Sequence, residues 1–274
     1  GLSLFHSVAS FNNSGFDVLG NGTSLIPYQK DVLLNLVTCA LVIAGGIGFP
    51  VIFELPLKHF SWKRQSMHTR VVLSTTFALL LFGTLLLKLT ESISWLGAFF
   101  YSVSARTAGF STYNLGDFST AGLLVVSGLM FIGASPASTG GGIKTTTFFV
   151  LLSGIYSAAT NHSERAFHNA IPKDAFRKAS VISILAAFLV MTASYLMLIF
   201  DPQLSLRDVL FEMISAFSTS GLSTGITPQL SAQSRILSII MMYIGRLGPL
   251  TVASLWYFTI GERVRYPEGT IAIG

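Results

Sequence analysis

Three stretches of the chain, residues 5–16, 99–110 and 211–222, end in the same device: a short apolar run, a glycine, and one further apolar residue. Superimposed on Gly15, Gly109 and Gly221, each has Phe ten positions before the glycine and Phe or Leu one position after it. A helix of that length falls well short of the ~20 residues that cross a bilayer. Half-length apolar helices running into polar, glycine-bearing strands read as re-entrant pore loops, whose backbone carbonyls can replace the water around a cation. Glycine is required because carbonyls aimed at one axis need backbone angles that side chains resist. Each half-helix also directs its partly negative C-terminal end at the membrane centre, which favours a cation over an anion. Glycines that merely let helices pack closely are the rival reading, and three aligned copies weigh against it.

The rest of the chain agrees with a membrane setting. It is 51% apolar and 11% charged, with a mean hydropathy of +0.65, which excludes an ordinary soluble domain. Spans are expected at 31–53, 71–89, 119–160 with a break inside it, 175–200 and 232–260. Cys39, the sole cysteine, falls within a span, so no intrachain disulfide forms and its expected role is packing. No cleavable signal peptide is recognisable.

The formal charge of +5 is distributed by location. Lys58, Lys63, Arg64 and Arg70 fill one connection between spans; Arg165, Lys173, Arg177 and Lys178 fill another; Arg263 and Arg265 follow the last span. These segments are expected to face the cytoplasm of a multi-pass plasma-membrane protein. The segments carrying Asp17, Asp117, Asp201 and Asp208 then face outside. Basic residues split among short loops with no aromatic interleaving do not suit nucleic acid.

The fold expected is therefore all-α, a polytopic membrane protein of repeated span, re-entrant pore loop, span units. A pore on a central axis wants four such units, and the first is absent from this chain, which opens at Gly1 on pore-helix-like sequence. Residues 1–60 then form the second repeat, truncated at its start; 61–174 the third; 175–262 the fourth; and 263–274 a C-terminal tail.

Inside the broken span lies Gly133-Ala134-Ser135-Pro136-Ala137-Ser138-Thr139-Gly140-Gly141-Gly142-Ile143-Lys144-Thr145. Small, polar and helix-breaking residues at membrane depth survive only where they line a cavity or are buried in protein. The segment 133–145 reads as an intramembrane loop below the filter, with Gly140, Gly141 and Gly142 making it deformable enough to gate; a fixed kink is the alternative. It is not a phosphate-binding loop, because Ile143 separates Gly142 from Lys144 and no strand precedes it. Arg246 sits about 20 Å along the last span at 1.5 Å per residue. A charge there costs at least ~2.5 to 3.5 kcal/mol without a partner, so its guanidinium is expected to bond carbonyls or hydroxyls of the 133–145 loop. Lys144 either shares that task or reaches the membrane interface.

Asn13-Ser14-Gly15-Phe16, Thr107-Ala108-Gly109-Phe110 and Thr219-Ser220-Gly221-Leu222-Ser223, with the glycine-rich break and Arg246, resemble the pore loops of the Trk/Ktr/HKT superfamily of potassium transporters, closest to the membrane subunits of bacterial Ktr systems. The resemblance covers essentially the whole chain as three of that family's four repeats. It implies a potassium filter of one glycine per repeat, with the ion held at the backbone of Gly15, Gly109 and Gly221 and the filter lined by Asn13, Ser14, Thr107, Ala108, Thr219 and Ser220. It further implies a gate comprising the 133–145 loop and Arg246, a homodimer whose contact includes the tail, and a cytoplasmic nucleotide-binding regulatory ring that carries ATP or ADP. It allows sodium dependence. No cofactor is expected in this chain itself, with the potassium ion as substrate.

The remaining ionisable residues have simpler expected roles. Arg106 braces its loop against carbonyls or a carboxylate such as Glu91 or Asp117. Asp17 is a solvated loop residue near the outer mouth, and Glu212 a hydrogen-bond acceptor in its pore helix. His6, His59, His68, His162 and His168 lack metal-ligand spacing, and no nucleophile or paired carboxylates suggest an enzyme. Residues 161–178 suit the cytoplasmic interface. The alternative function is a secondary transporter with discontinuous helices that moves a small solute by alternating access; a further one is a scaffold without flux.

Overall fold

The computed structural model of the protein describes residues 1–17, 19–20, 22–161, 165–167, 169–249 and 251. His162, His168, Arg263, Arg265, the tail 263–274 and the last span beyond 251 lie outside the described residues.

Serine and aspartate caps divide the apolar sequence into helices. The re-entrant helices are α1 (Leu2–Phe11), α5 (Trp95–Ser104) and α9 (Leu206–Ser218). Ser94 caps α5 by accepting from Gly97 N, and Ser205 caps α9 by accepting from Asp208 N. Two long spans precede the second and third of these, α4 (Met67–Thr90) and α8 (Lys173–Phe200), both long and apolar enough to cross a membrane. After the three glycine-bearing strands come the inner helices α2 (Val32–Gly46), α6 (Thr120–Phe131) and α10 (Ala232–Leu247), capped by Asp31, Ser119 and Ser231. In the two fuller repeats, outer span, pore helix and inner helix pack together, α4 with α5 and α6, α8 with α9 and α10. Phe100, Tyr101, Phe110, Phe211 and Phe217 are buried almost completely.

The same clasp ties outer to inner helix in both of those repeats. Glu91, just past α4, accepts from Ser119 N and Oγ at 3.0 and 2.6 Å. Asp201, just past α8, accepts from Ser231 N and Oγ at 3.1 and 3.0 Å. Hydrogen bonds from Ser234 and then Ser231 hold the Asp201 carboxyl below its ordinary range. Its folded-state pKa is thus lower than the unfolded one, so the clasp stabilises fully above about pH 4 and is lost as pH falls through the folded value. Asp201→Asn is expected to lower the unfolding temperature in detergent by about 2–4 °C at pH 7. The difference from the parent should narrow as pH falls below the ordinary carboxylate value of about 4; one that does not narrow there would assign the effect to packing.

The apolar stretch 31–53 is not one straight helix. It breaks after α2 and turns by 96° into α3 (Phe49–Leu57). Gly48 takes φ +90 and Pro50 follows; a Cβ on Gly48 would lie 2.4 Å from Pro136 O. The three inner helices end near corresponding glycines: α2 closes just past Gly45, α6 at Phe131 before Gly133, and α10 at Leu247 past Gly245. Cβ atoms built on Gly45 and Gly245 would lie 1.8 and 1.7 Å from the carbonyl oxygens of Phe11 and Phe217, the pore-helix ends they pack against. The break inside 119–160 is the expected one: α6 ends at Phe131 and α7 (Thr145–Thr160) resumes beyond the loop.

Two connections that carry basic residues meet at one end of the bundle. Within the connection 161–178, β1 (Arg165–Ala166) pairs antiparallel with β2 (Asn169–Ala170) in a small hairpin. Phe167 at its turn meets Trp62 edge-on, ring centroids 5.8 Å apart. Next to it Glu54 gathers Ser66, Thr69 and Lys58, fastening α3 to the start of α4.

Candidate functional site: a ring of unpaired carbonyls and the loop beneath it

The strands that follow α1, α5 and α9 converge. A Cβ on Gly15 would lie 2.5 Å from Ala108 O and 3.0 Å from Gly109 Cα; a Cβ on Gly109 would lie 2.2 Å from Ser220 O and 3.3 Å from Gly15 Cα. Gly221 closes the series with Gly109 Cα at 3.9 Å from its built Cβ. At Gly15 and Gly109 main chain touches main chain, and a side chain would not fit between the strands there.

Their backbone alternates in hand. Gly15, Gly109 and Gly221 have φ of +62, +82 and +82, and the residues two before them, Asn13, Thr107 and Thr219, have φ of +51, +82 and +54. The residues between, Ser14, Ala108 and Ser220, are not left-handed. Non-glycine residues at positive φ are uncommon, and here they recur at one repeat position, which marks a held conformation.

Hydrogen bonding explains what is held. The amides of Ser14, Ala108 and Ser220 donate back to the pore helices, to Ala9 O, Ser104 O and Ser215 O at 3.0, 2.9 and 3.0 Å. Among the described residues no hydrogen bond reaches the carbonyl of Asn13, Ser14, Gly15, Thr107, Ala108, Gly109, Thr219, Ser220 or Gly221. Buried backbone carbonyls are almost always paired, and Thr107, Ala108 and Ser220 are at most 1% exposed. With the amides tethered to helix ends, the oxygens are left for a ligand that carries positive charge. The C-termini of α1, α5 and α9 point at the same place and add to that preference. Tyr101, which sequence reasoning passed over, braces the strand leaving Gly109: its hydroxyl donates to Tyr113 O and accepts from Tyr113 N at 3.1 Å. A buried tyrosine within a pore helix was the available signal.

Residues 133–145 lie directly beneath the ring. The loop is cinched at its base, where Ile143 N donates to Phe131 O at 3.2 Å and Thr145 N to Ala134 O at 3.3 Å. Its near side satisfies the carbonyls freed by the bend in 31–53: Ser135 N donates to Gly46 O at 3.0 Å and Thr139 N to Gly45 O at 3.4 Å, while Phe49 N donates to Ala137 O at 3.0 Å. Of the three glycines, Gly142 alone needs positive φ, at +71. Gly140 and Gly141 are there for space: Cβ atoms on them would lie 2.0 Å from Thr107 Oγ1 and 2.6 Å from Thr219 Oγ1.

Two cations grip the loop. Arg246 Nη1 donates to Thr139 O, a loop carbonyl as expected, and Lys144 Nζ donates to Gly140 O at 2.7 Å. Arg106, 6% exposed, reaches Gly133 O at the long distance of 3.5 Å. Its partner is therefore a carbonyl, because Glu91 is engaged by Ser119 and Asp117 faces Asn114. Glu212 accepts from Thr227 Oγ1 at 2.6 Å, and Asp17 accepts from Leu19 N. Among the described residues no cluster of His, Cys, Asp and Glu could hold a metal ion.

Comparison with known proteins follows from this geometry. The family description TrkH, a cation transport protein, matches residues 2–89 and 66–259. The Ktr system potassium uptake protein B of Vibrio alginolyticus is 35% identical, covering 99% of this chain and 62% of its own length. For the protein of the same name from Bacillus subtilis the figures are 34%, 99% and 63%. The potassium/sodium uptake protein NtpJ of Enterococcus hirae is 34% identical over 100% of this chain and 64% of its own. The chain thus spans less than two thirds of the length of these relatives. The crystal structure of the potassium transporter TrkH from Vibrio parahaemolyticus matches in fold, with a TM-score of 0.74 at 18% identity, covering 92% of this chain and 57% of that one. Matched over nearly all its length, and built of repeated pore loops around a shared centre, the chain belongs to the TrkH family of cation transport proteins.

Proposed function

We propose that this protein is the ion-translocating membrane subunit of a potassium uptake system. Potassium crosses it through a filter of backbone carbonyls with one glycine per repeat, at Gly15, Gly109 and Gly221, and the 133–145 loop with Lys144 and Arg246 gates the path below. The observation that carries this reading is the set of carbonyls left unpaired where three quasi-equivalent strands meet, their amides anchored behind them. Carbonyl oxygens are suited to replace the hydration shell of a monovalent cation. One ring should discriminate potassium from sodium less sharply than a stack of rings.

The names of the relatives support potassium as the substrate, and their greater length is in keeping with a pore that needs a further repeat to close. The resemblance to Ktr membrane subunits supports assembly as a homodimer on a cytoplasmic ring that senses ATP or ADP. The meeting of two basic connections at one end of the bundle, at Trp62 and Phe167, supports a cytoplasmic orientation for that end in the plasma membrane. Anomalous diffraction from protein soaked in rubidium or thallium salts is expected to give a peak between Gly15, Gly109 and Gly221. Density elsewhere, with none between those glycines, would overturn the filter.

A further inference from the structure

Consecutive loop residues meet equivalent filter residues one to one. Asn13, Thr107 and Thr219 occupy the same position, two before the filter glycine, in successive repeats. Thr139 Oγ1 lies 3.2 Å from Gly45 O and 3.4 Å from Phe11 O, and with the Asn13 amide turned so that its nitrogen donates to Val42 O and Ser10 O it lies 3.2 Å from the Asn13 side-chain oxygen too, its one proton shared among the three. Gly140 lies against Thr107, and Gly141 against Thr219 and the neighbouring Ser218 O. Three successive residues of one loop thus each support the inner end of a different strand, at the point where a non-glycine residue holds positive φ.

From this register we infer that residues 139–141 are specificity-determining positioning residues: the loop that bars the pore also holds the inner rung of the filter in its selective shape. The inference rests on the filter reading above and deepens it. A loop that only plugged the path would need contact with the filter at no particular register. Here the left-handed residues Asn13, Thr107 and Thr219 are over-determined by their contacts, as strained functional backbone must be. Thr107 Oγ1 is buried and, among the described residues, has no hydrogen-bond partner, so packing against Gly140 rather than a hydrogen bond directs it. Displacing the loop removes all three supports together. The inner rung then loosens, and a ring that loosens ranks cations less strictly. Conduction and discrimination are on this account set by one moving part.

The test is paired potassium and sodium flux in proteoliposomes containing the full-length protein, for wild type, Gly140→Ala, Gly141→Ala and Thr139→Val. The potassium-to-sodium ratio is expected to fall about threefold or more in the loop variants, the size of coupling usual between touching residues. Combining Gly140→Ala with Thr107→Ala, which removes the nearest atom the new methyl would strike and leaves Ala134 Cβ at 2.6 Å, should give a change smaller than the sum of the single effects. Should the alanine variants fail to accumulate, Thr139→Val, which adds no bulk to the filter side, gives the same reading. Altered rates with the wild-type ratio retained in every variant would overturn the inference and leave the filter standing. Wild-type protein without potassium flux would instead overturn the function on which it rests.

Discussion

Gly109→Ala is expected to abolish selective potassium uptake while the protein still reaches the membrane. Two costs coincide at this residue. Its φ of +82 lies in the left-handed region, where an L side chain costs about 1–2 kcal/mol. The new Cβ would also sit 2.2 Å from Ser220 O and 3.3 Å from Gly15 Cα. These are backbone atoms of the two flanking strands, so no rotamer change relieves the contact and the strands must part. Parting moves the oxygens that would face the ion, whereas the helices behind them are held by their own caps and cores. The loss should therefore appear in transport before it appears in folding, as a drop of tenfold or more in rubidium uptake, one factor of ten for each ~1.4 kcal/mol lost at the ring. Gly15→Ala, with its Cβ 2.5 Å from Ala108 O, should behave alike. An alanine at 109 with parental uptake and ion preference would show that the strands do not form the selective barrier.

Much of this was legible in the residues because repeats leave a signature independent of tertiary detail. The spacing of Phe5 to Gly15, Phe99 to Gly109 and Phe211 to Gly221 marked the half-helices, and the run 133–145 declared its own break by composition. What escaped was whatever depended on a partner distant in the chain. Residues 31–53 read as one span because they are apolar on both sides of the bend. The meaning of Gly48 and Pro50 lies in the docking of Pro136 and Ala137, which no local pattern announces. With hindsight, the match of Gly45-Gly46-Ile47-Gly48 to Gly245-Arg246-Leu247-Gly248 was a signal that both inner helices end alike. The partner of Arg106 was uncertain between carbonyl and carboxylate for the same reason: Glu91 had a prior engagement at Ser119 that only the fold reveals. The meeting of Thr139, Gly140 and Gly141 with the inner filter is likewise tertiary. The glycines looked useful for flexibility, and two of them are used for close approach.

Arg246→Ala is expected to raise potassium flux, and the reason separates into two terms that a second substitution can tell apart. Arg246 donates to Thr139 O, one residue from the carbonyl that Lys144 holds. Hydrogen bonds from a charged group contribute about 1.5–3 kcal/mol, so losing the tether should favour displaced over docked loop by roughly 10- to 100-fold. The guanidinium is also a positive charge at membrane depth beside the proposed path, where it opposes a cation. Both terms act in the same direction. Arg246→Gln keeps an N–H able to donate to Thr139 O while removing the charge. If the tether dominates, glutamine should stay close to wild type while alanine conducts several-fold faster; if the charge dominates, the two should rise together. Flux unchanged in both variants, measured as rubidium uptake at matched protein levels, would remove Arg246 from the gate. The tether term makes one further demand: because the same loop supports Asn13, Thr107 and Thr219, any gain in rate from its release should come with weaker discrimination against sodium.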